Sequence, residues 1–284
     1  MLRNAFAYIT RKWPKSLLLF AIILLMGTLS LIGLSMKGAT QQASSESLGS
    51  ITNSFSMQIN RRTNPGTPRG AGNLRGEDIE KISQVEGITS SIKRINAIAD
   101  ILDHEIIETE ETLQNQSPER AKYFKNTLMV TGVNDSSKED KFVSGAYKLV
   151  QGEHLTDKDK NQILMHEDLA KKNGLKVGDK VRLKSNLYDA DNEKGANETV
   201  EVTIKGLFSG KNQAPLTYAQ ELYEDTLISD LDTAAKLYGN TVQTATYEDA
   251  TFFAKGDQDL DKLIEKIKAL DIPWNYFDLG KSSS

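Results

Sequence analysis

The chain has 284 residues, 35 Lys/Arg, 39 Asp/Glu and no cysteine, for a formal charge of −4 at pH 7. The missing cysteine excludes disulfides, thiol catalysis, cysteine zinc sites and a lipoprotein anchor, so any exported part is held by packing and hydrogen bonds alone. The first 37 residues carry five Lys/Arg and no acid, which leaves 30 Lys/Arg against 39 Asp/Glu, a charge of −9, on the other 247, without the basic patch that nucleic acid requires.

Leu2, Phe6, Ile9 and Trp13 fall on one helical face beside Arg3, Arg11 and Lys12. Residues 1–15 read as a cytoplasmic amphipathic helix on the inner leaflet, or simply as a positive flank that fixes topology. Ser16 to Met36 is an uncharged run of 21 residues. At about 1.5 Å per residue it spans a bilayer core of about 30 Å, so a transmembrane helix is expected over 16–37. Arg3, Arg11, Lys12 and Lys15 before it keep the N-terminus in the cytoplasm and place the remainder outside the cell membrane, as a single-pass protein. A cleaved signal peptide is the alternative, but its apolar region is about 7–15 residues long, and no small-x-small site follows Met36.

Beyond the span, Gly38 to Gly49 reads as a helical stalk leading into a strand over Ile51 to Ile59. The Pro- and Gly-rich stretch Asn64 to Asn73 marks a flexible excursion. It lacks the Gly-Lys-Ser/Thr of a phosphate loop, so ATP chemistry must come from another chain. Asp78, Ile79, Ile82 and Val85 mark a helix stopped by Gly87, and Ile88 to Ile98 a strand or strand pair. Thr127 to Val133 is the next strand. Ile163 to Ile204 reads as a strand, a short helix ended by Asn173-Gly174, and a hairpin with Val181 and Leu183 facing Val200, Val202 and Ile204. A strand over Leu227 to Leu231 and a helix over Thr233 to Tyr238 capped by Asp230 or Asp232 follow. Ala250 to Ala254 is a strand, and Leu260, Leu263, Ile264, Ile267 and Leu270 form a helical stripe.

Chemistry is sparse. Asp189 to Gly195 has acids where a calcium loop wants its first and third ligands, but Lys194 stands at the glycine position and Val200 at the bidentate acid, so a solvated hairpin connection is expected. His104, His154 and His166 are too far apart for a paired-ligand motif, and His166 reads as a helix start. Asp135, Glu139 and Asp140 lie in a polar turn, and Glu105, Glu108, Glu110 and Glu111 read as a hydrated face. No GxSxG context occurs, so no catalytic, cofactor-binding or metal residue is assigned and the chain is expected not to be an enzyme.

The order of LMVTGVND, YKLVQGEHLT, ILMHEDLAKKNGLKVGDKVRL, VTIKGLF and ISDLDTAAKLYG after an apolar first helix resembles the MacB/FtsX-type ABC transporter permeases. NAFAYITRK, NSFSMQINRR, GTPRGAGN and VNDSSKEDKFVSG are similar to the Vex-type permeases of streptococci. The resemblance implies an α+β fold: a MacB-like extracytoplasmic core over 38–284 in two mixed α/β lobes. One lobe comprises about 50–135 plus 247–279, with an inserted lobe at about 136–246. It also implies a separate ABC ATPase subunit, a second permease subunit in a homo- or heterodimer, contact with membrane lipids, and export of a peptide, lipid or drug or transmission of force outward. Family members continue into three further transmembrane helices, so a truncated product or fragment that folds outside but does not transport alone is expected. A membrane-tethered binding or sensing module is the alternative, and a surface hydrolase lacks the motifs it needs.

Overall fold

In the computed structural model the described residues are 53–68 and 73–282, with a helical stretch at 17 and 20–24. The expected amphipathic helix, the stalk and most of the expected span lie outside the described residues. Among the described residues, no helix is long and apolar enough to cross a membrane. The chain divides after Thr52, and the unit that begins at Asn53 is mixed α/β.

β1 (Ser54–Ile59) buries Phe55, Met57 and Ile59 at alternate positions, the period of a strand with one covered face. After β2 (Leu74–Arg75), α1 (Gly76–Ser83) carries Glu77 and Asp78 in its first turn and buries Ile79 and Ile82. β3 (Ile88–Ile101) is a single strand of 14 residues, three longer at its end than the expected run. α2 (Glu110–Gln114) and α3 (Pro118–Tyr123) are short helices capped by the hydroxyls of Thr109 and Ser117. β4 (Thr127–Val133) follows as expected.

Next come α4 (Asp140–Val143), β5 (Lys148–Gly152) and β6 (Gln162–His166), then α5 (Glu167–Lys172), begun by His166 as its cap. β7 (Lys180–Ser185) and β8 (Thr199–Ser209) are the expected hairpin. β9 (Thr226–Ser229) leads to α6 (Leu231–Leu237), whose cap is Asp230. β10 (Thr246–Tyr247), β11 (Asp249–Ala254), α7 (Leu260–Lys268) and β12 (Phe277–Lys281) complete the unit.

Ten of the strands form two connected arrangements, and β2 and β10 pair by themselves as a two-stranded antiparallel sheet. β12, β1, β11 and β3 make an antiparallel sheet. From β3, pairing continues through β4, β9, β6, β8 and β7 and returns to β3, closing a ring of six strands. Such closure removes the free edges that an open sheet leaves. β5 adds to β8 outside the ring. The expected lobe boundaries near 135 and 246 are crossed by this network, since β4 pairs β9 and β3 pairs β7.

Alternation along the ring strands sends Ile101, Leu128, Val130, Ile163, Met165, Val181, Leu183, Val200 and Val202 into the main core. The opposite face of the same strands carries a second cluster, in which Val133, Leu164, Phe208 and Ile228 are covered by Phe142, Tyr147 and Leu155. α6 packs against β3, β4 and β8. Its approach is set by Gly132, because a Cβ there would stand 2.4 Å from Ala234 Cβ.

The close contact between Gly132 and Ala234 yields a stability prediction. Gly132→Ala is expected to cost at least about 1–3 kcal/mol, because the core has no room for the added methyl. Ala234→Gly in the same chain is expected to return part of that loss, read as the midpoint of thermal unfolding in the two single variants and the double one.

Candidate functional site

Arg94 stands midway along β3, opposite Asp249 of β11 in register. Its guanidinium donates to the Asp249 carboxylate, and its Nη1 lies 3.9 Å from Glu139 Oε1. Glu139 is itself the cap of α4, accepting from Lys141 N–H at 2.9 Å. Burial alone would lower the Arg94 pKa, but Asp249, Asp140 and Glu139 outweigh it and raise it. Burial raises the carboxyls of Asp249 and Glu139, with Arg94 opposing the rise in each. The polar turn at 135–140 is thus tied by charge to the centre of the sheet, which its sequence did not show.

The histidines are dispersed. His154 Nδ1 lies 2.8 Å from Ser136 Oγ, and burial lowers its pKa. His166 Nδ1 accepts from Asp168 N–H at 3.1 Å, so the ring proton sits on Nε2 and is donated to Gly210 O at 2.8 Å. Ligand atoms of His166, Asp168 and Glu224 lie within 4.8 Å of one another, a grouping that separations of two and 56 residues hide in the sequence. Both imidazole nitrogens are already engaged, and Lys211 stands 3.7 Å from Asp168 and 3.9 Å from Glu224. As arranged, the three residues form a hydrogen-bond and ion-pair network, and coordination would require breaking it.

Asp225, adjacent to this group, is fully buried. One carboxylate oxygen accepts from Ile107 N–H at 2.7 Å, and the other has no hydrogen-bond partner among the described residues. Burial pushes its pKa up to about 8, against the bond from Ile107, with the charge of Glu224 adding to the rise. The acids at 105–111 border this point, and Glu105 also pairs with Lys172 at 3.9 Å.

The loop over 189–195 is largely exposed, as expected of a solvated connection, and two of its side chains are turned inward to pin it. Asp189 and Asn192 are buried, Asp189 accepts from the Tyr238 hydroxyl, and Asn192 bonds Asn186 O, Ala196 O and Ala196 N–H. The carboxylate of Asp189 is thus held by Tyr238 at the end of α6 and by Asp191 N–H, and the amide oxygen of Asn192 by Ala196 N–H.

The two ends of β3 differ in character. Near its start, the chain enters at Asn53 and leaves at Ser282, whose N–H donates to Ser54 O at 3.1 Å. At about 3.3 Å per residue, the 14 residues of β3 carry the backbone about 43 Å from that end. The far end is aromatic and basic. The rings of Tyr123 and Tyr188 meet at a tilt of 31° with centroids 3.8 Å apart, and Arg120 lies 3.8 Å from the Tyr218 ring and 4.9 Å from Phe124. Leu187 and Tyr188 are 51% and 59% exposed, so apolar surface of the kind used in protein contacts is gathered there.

The sequence family described as the MacB-like periplasmic core domain matches residues 16–270. The chain is 22% identical over 307 residues to an uncharacterized ABC transporter permease, YclI, of Bacillus subtilis (strain 168), covering 98% of this chain and 61% of that protein. It therefore spans less than two thirds of that relative's length. The periplasmic region of MacB from Actinobacillus actinomycetemcomitans is similar at a TM-score of 0.45 and 18% identity, over 82% of this chain and 91% of that one. The extracellular domain of the noncanonic ABC-type transporter YknZ from Gram-positive bacteria is similar at 0.41 and 12% identity, over 74% and 88%.

Two consequences of the buried charges are measurable. Arg94→Met leaves Asp249 without its cation and Glu139 with Lys141 alone, and is expected to cost about 3 kcal/mol in denaturant unfolding, with most of it regained in Arg94→Met/Asp249→Leu. Asp225 retains in the folded state a proton that the unfolded chain releases near its ordinary value of 3.8, so stability falls as pH rises from about 4 to about 8 and levels off above. The stability of Asp225→Asn relative to wild type should accordingly grow across that interval and stay flat beyond it, in melting curves taken over the pH range.

Proposed function

Because the chain belongs to the family of MacB-like periplasmic core domains, we propose that it is the extracytoplasmic part of a non-enzymatic ABC transporter permease subunit, moved by a separate ATPase. The observation that carries this reading is the antiparallel pairing of β1 with β12, which brings the arriving and departing chain together at one end of the sheet. A body held by two adjacent segments turns as a unit when those segments shift. The six-stranded ring and the 14-residue β3 resist bending, so a small rotation at the held end becomes a larger displacement at the aromatic end.

In this reading the domain stands on the outer side of the cell membrane, the partners are the ATPase, a second permease subunit and lipid, and the exported species is met at the far end by Arg120, Tyr188 and Tyr218. Export of a peptide, lipid or drug fits an exposed aromatic and cationic surface, which offers stacking, apolar contact and charge together.

Isolation of the tagged chain from native membranes tests the proposal. An ATPase bearing GxxxxGK[ST] is expected to come with it in stoichiometric amount and to lose part of its coupled activity when Tyr188 and Leu187 are replaced by Ser. Recovery of the chain without any such ATPase overturns the reading.

A further inference from the structure

A cleft of about 290 Å³ opens between β3, the end of β4, the turn before β6 and the start of α6. Lys93 of β3 lines it and is half-buried. Its ammonium lies 5.5 Å from the centre of the Tyr247 ring and has no carboxylate within ion-pair distance and no hydrogen-bond acceptor among the described residues. Glu80 of α1 acts on it only from beyond that range, and burial lowers its pKa below the ordinary lysine value. A cation so placed has given up water without gaining a counter-ion.

The acids of the cleft do not supply one, because they are engaged elsewhere. Asp159 is held by Lys205 at 2.8 Å and by Thr156 N–H at 2.7 Å. Asp232 pairs with Lys160. Asp230 accepts from Gln162 N–H at 3.0 Å and Thr233 N–H at 3.1 Å. Asp157 is the exception, exposed and without a hydrogen bond or ion pair among the described residues. The cleft is therefore lined by one half-buried cation and one exposed anion that find no counter-charge among the described residues.

We propose that this cleft binds a small zwitterion, an amino acid or dipeptide, with its carboxylate on Lys93 and its ammonium toward Asp157. The volume lies at the lower limit of ligand sites, about 300 Å³, which suits a molecule of this size. Charge selects its type. Four aspartates stand against Lys93, Lys160 and Lys205, so the wall is net negative and disfavours a dianion such as phosphate, whereas a molecule of zero net charge with separated poles satisfies both free groups. The Ser91 hydroxyl, whose nearest partner is Ser83 Oγ at 3.4 Å, lines the same wall and adds a donor for a carboxylate. The site stands on these residues alone, whether or not a transporter is built around the chain.

The test uses the full 284-residue chain in detergent micelles, with its lysines carrying ¹³C-dimethyl groups, and glycylglycine, N-acetylglycine and inorganic phosphate as probes. Glycylglycine is expected to shift the Lys93 signal saturably and to raise the pKa read from it, and Lys93→Met is expected to abolish the binding heat measured by calorimetry. N-acetylglycine, which lacks the ammonium, should bind several-fold more weakly. Asp157→Asn, a change at an exposed residue that leaves folding intact, should erase that preference while leaving N-acetylglycine binding unchanged. The proposal is overturned if no probe moves the Lys93 signal, if phosphate binds as well as glycylglycine, or if the preference survives in Asp157→Asn.

Discussion

β3 is the constraint on which the other elements depend, because one strand serves two hydrogen-bonded arrangements in succession. Along one edge its first half pairs with β11 from Ile88 to Arg94, and its last three residues, Ala99 to Ile101, pair with β7. Along the other edge it pairs with β4 from Arg94 to Asp100. A shorter strand of ordinary length, about five or six residues, would serve the sheet or the ring but not both. A register slip of one residue would turn Ile95, Ala97, Ala99 and Ile101 out of the core together.

The handover from β11 to β7 leaves a gap along that edge between Arg94 and Ala99, and the structure fills it with polar groups from a distance. Ile98 N–H donates to the Tyr238 hydroxyl at 3.2 Å, and that hydroxyl donates in turn to Asp189. Asp189, in the loop after β7, is therefore buried where a strand edge requires a cap, which gives a physical reason for this acid that cation binding does not. At the start of the same gap Arg94 couples β11 to the turn before α4, so charge marks the point where pairing changes hands. Replacing such a buried group by an apolar one alone is costly, which ties the geometry of the turn to the geometry of the sheet.

Local signals carried much of the element order. Alternation exposed β1, β7 and β8, strand propensity placed β4, a cap at Asp230 or Asp232 placed α6, and the apolar stripe from Leu260 placed α7. The ring was not legible, since it needs β7 to meet β3 more than 80 residues earlier in the chain, and no periodicity records that. β5 was missed for a related reason: it is an exposed edge strand outside the ring, so Lys148, Val150 and Gln151 face solvent and the alternation that betrays a half-buried strand is lost. The charged sites were hidden by sequence distance, with Arg94 and Asp249 separated by 155 residues and Asp225 and Ile107 by 118. What the sequence did offer was Lys93 and Arg94 side by side inside a β-branched run, where charges are expensive and call for partners.

Only one of those two neighbours found its partners. Alternation sends Arg94 to the face where Asp249 and Glu139 await it, and Lys93 to the opposite face with Tyr247 and the cleft. The cleft is walled by groups that also fix the ring: Asp230 caps α6 while accepting from Gln162 of β6, and Asn134 bonds Lys93 N–H at 3.0 Å and Ser91 O at 2.7 Å. A ligand drawn to Lys93 would therefore touch β3, the end of β4 and the start of α6 at once, where Gly132 and Ala234 already bring backbone and helix to their closest approach. Packing that tight transmits small shifts instead of absorbing them. A ligand in the cleft would thus bear on the same elements that set the stance of α6 on the ring.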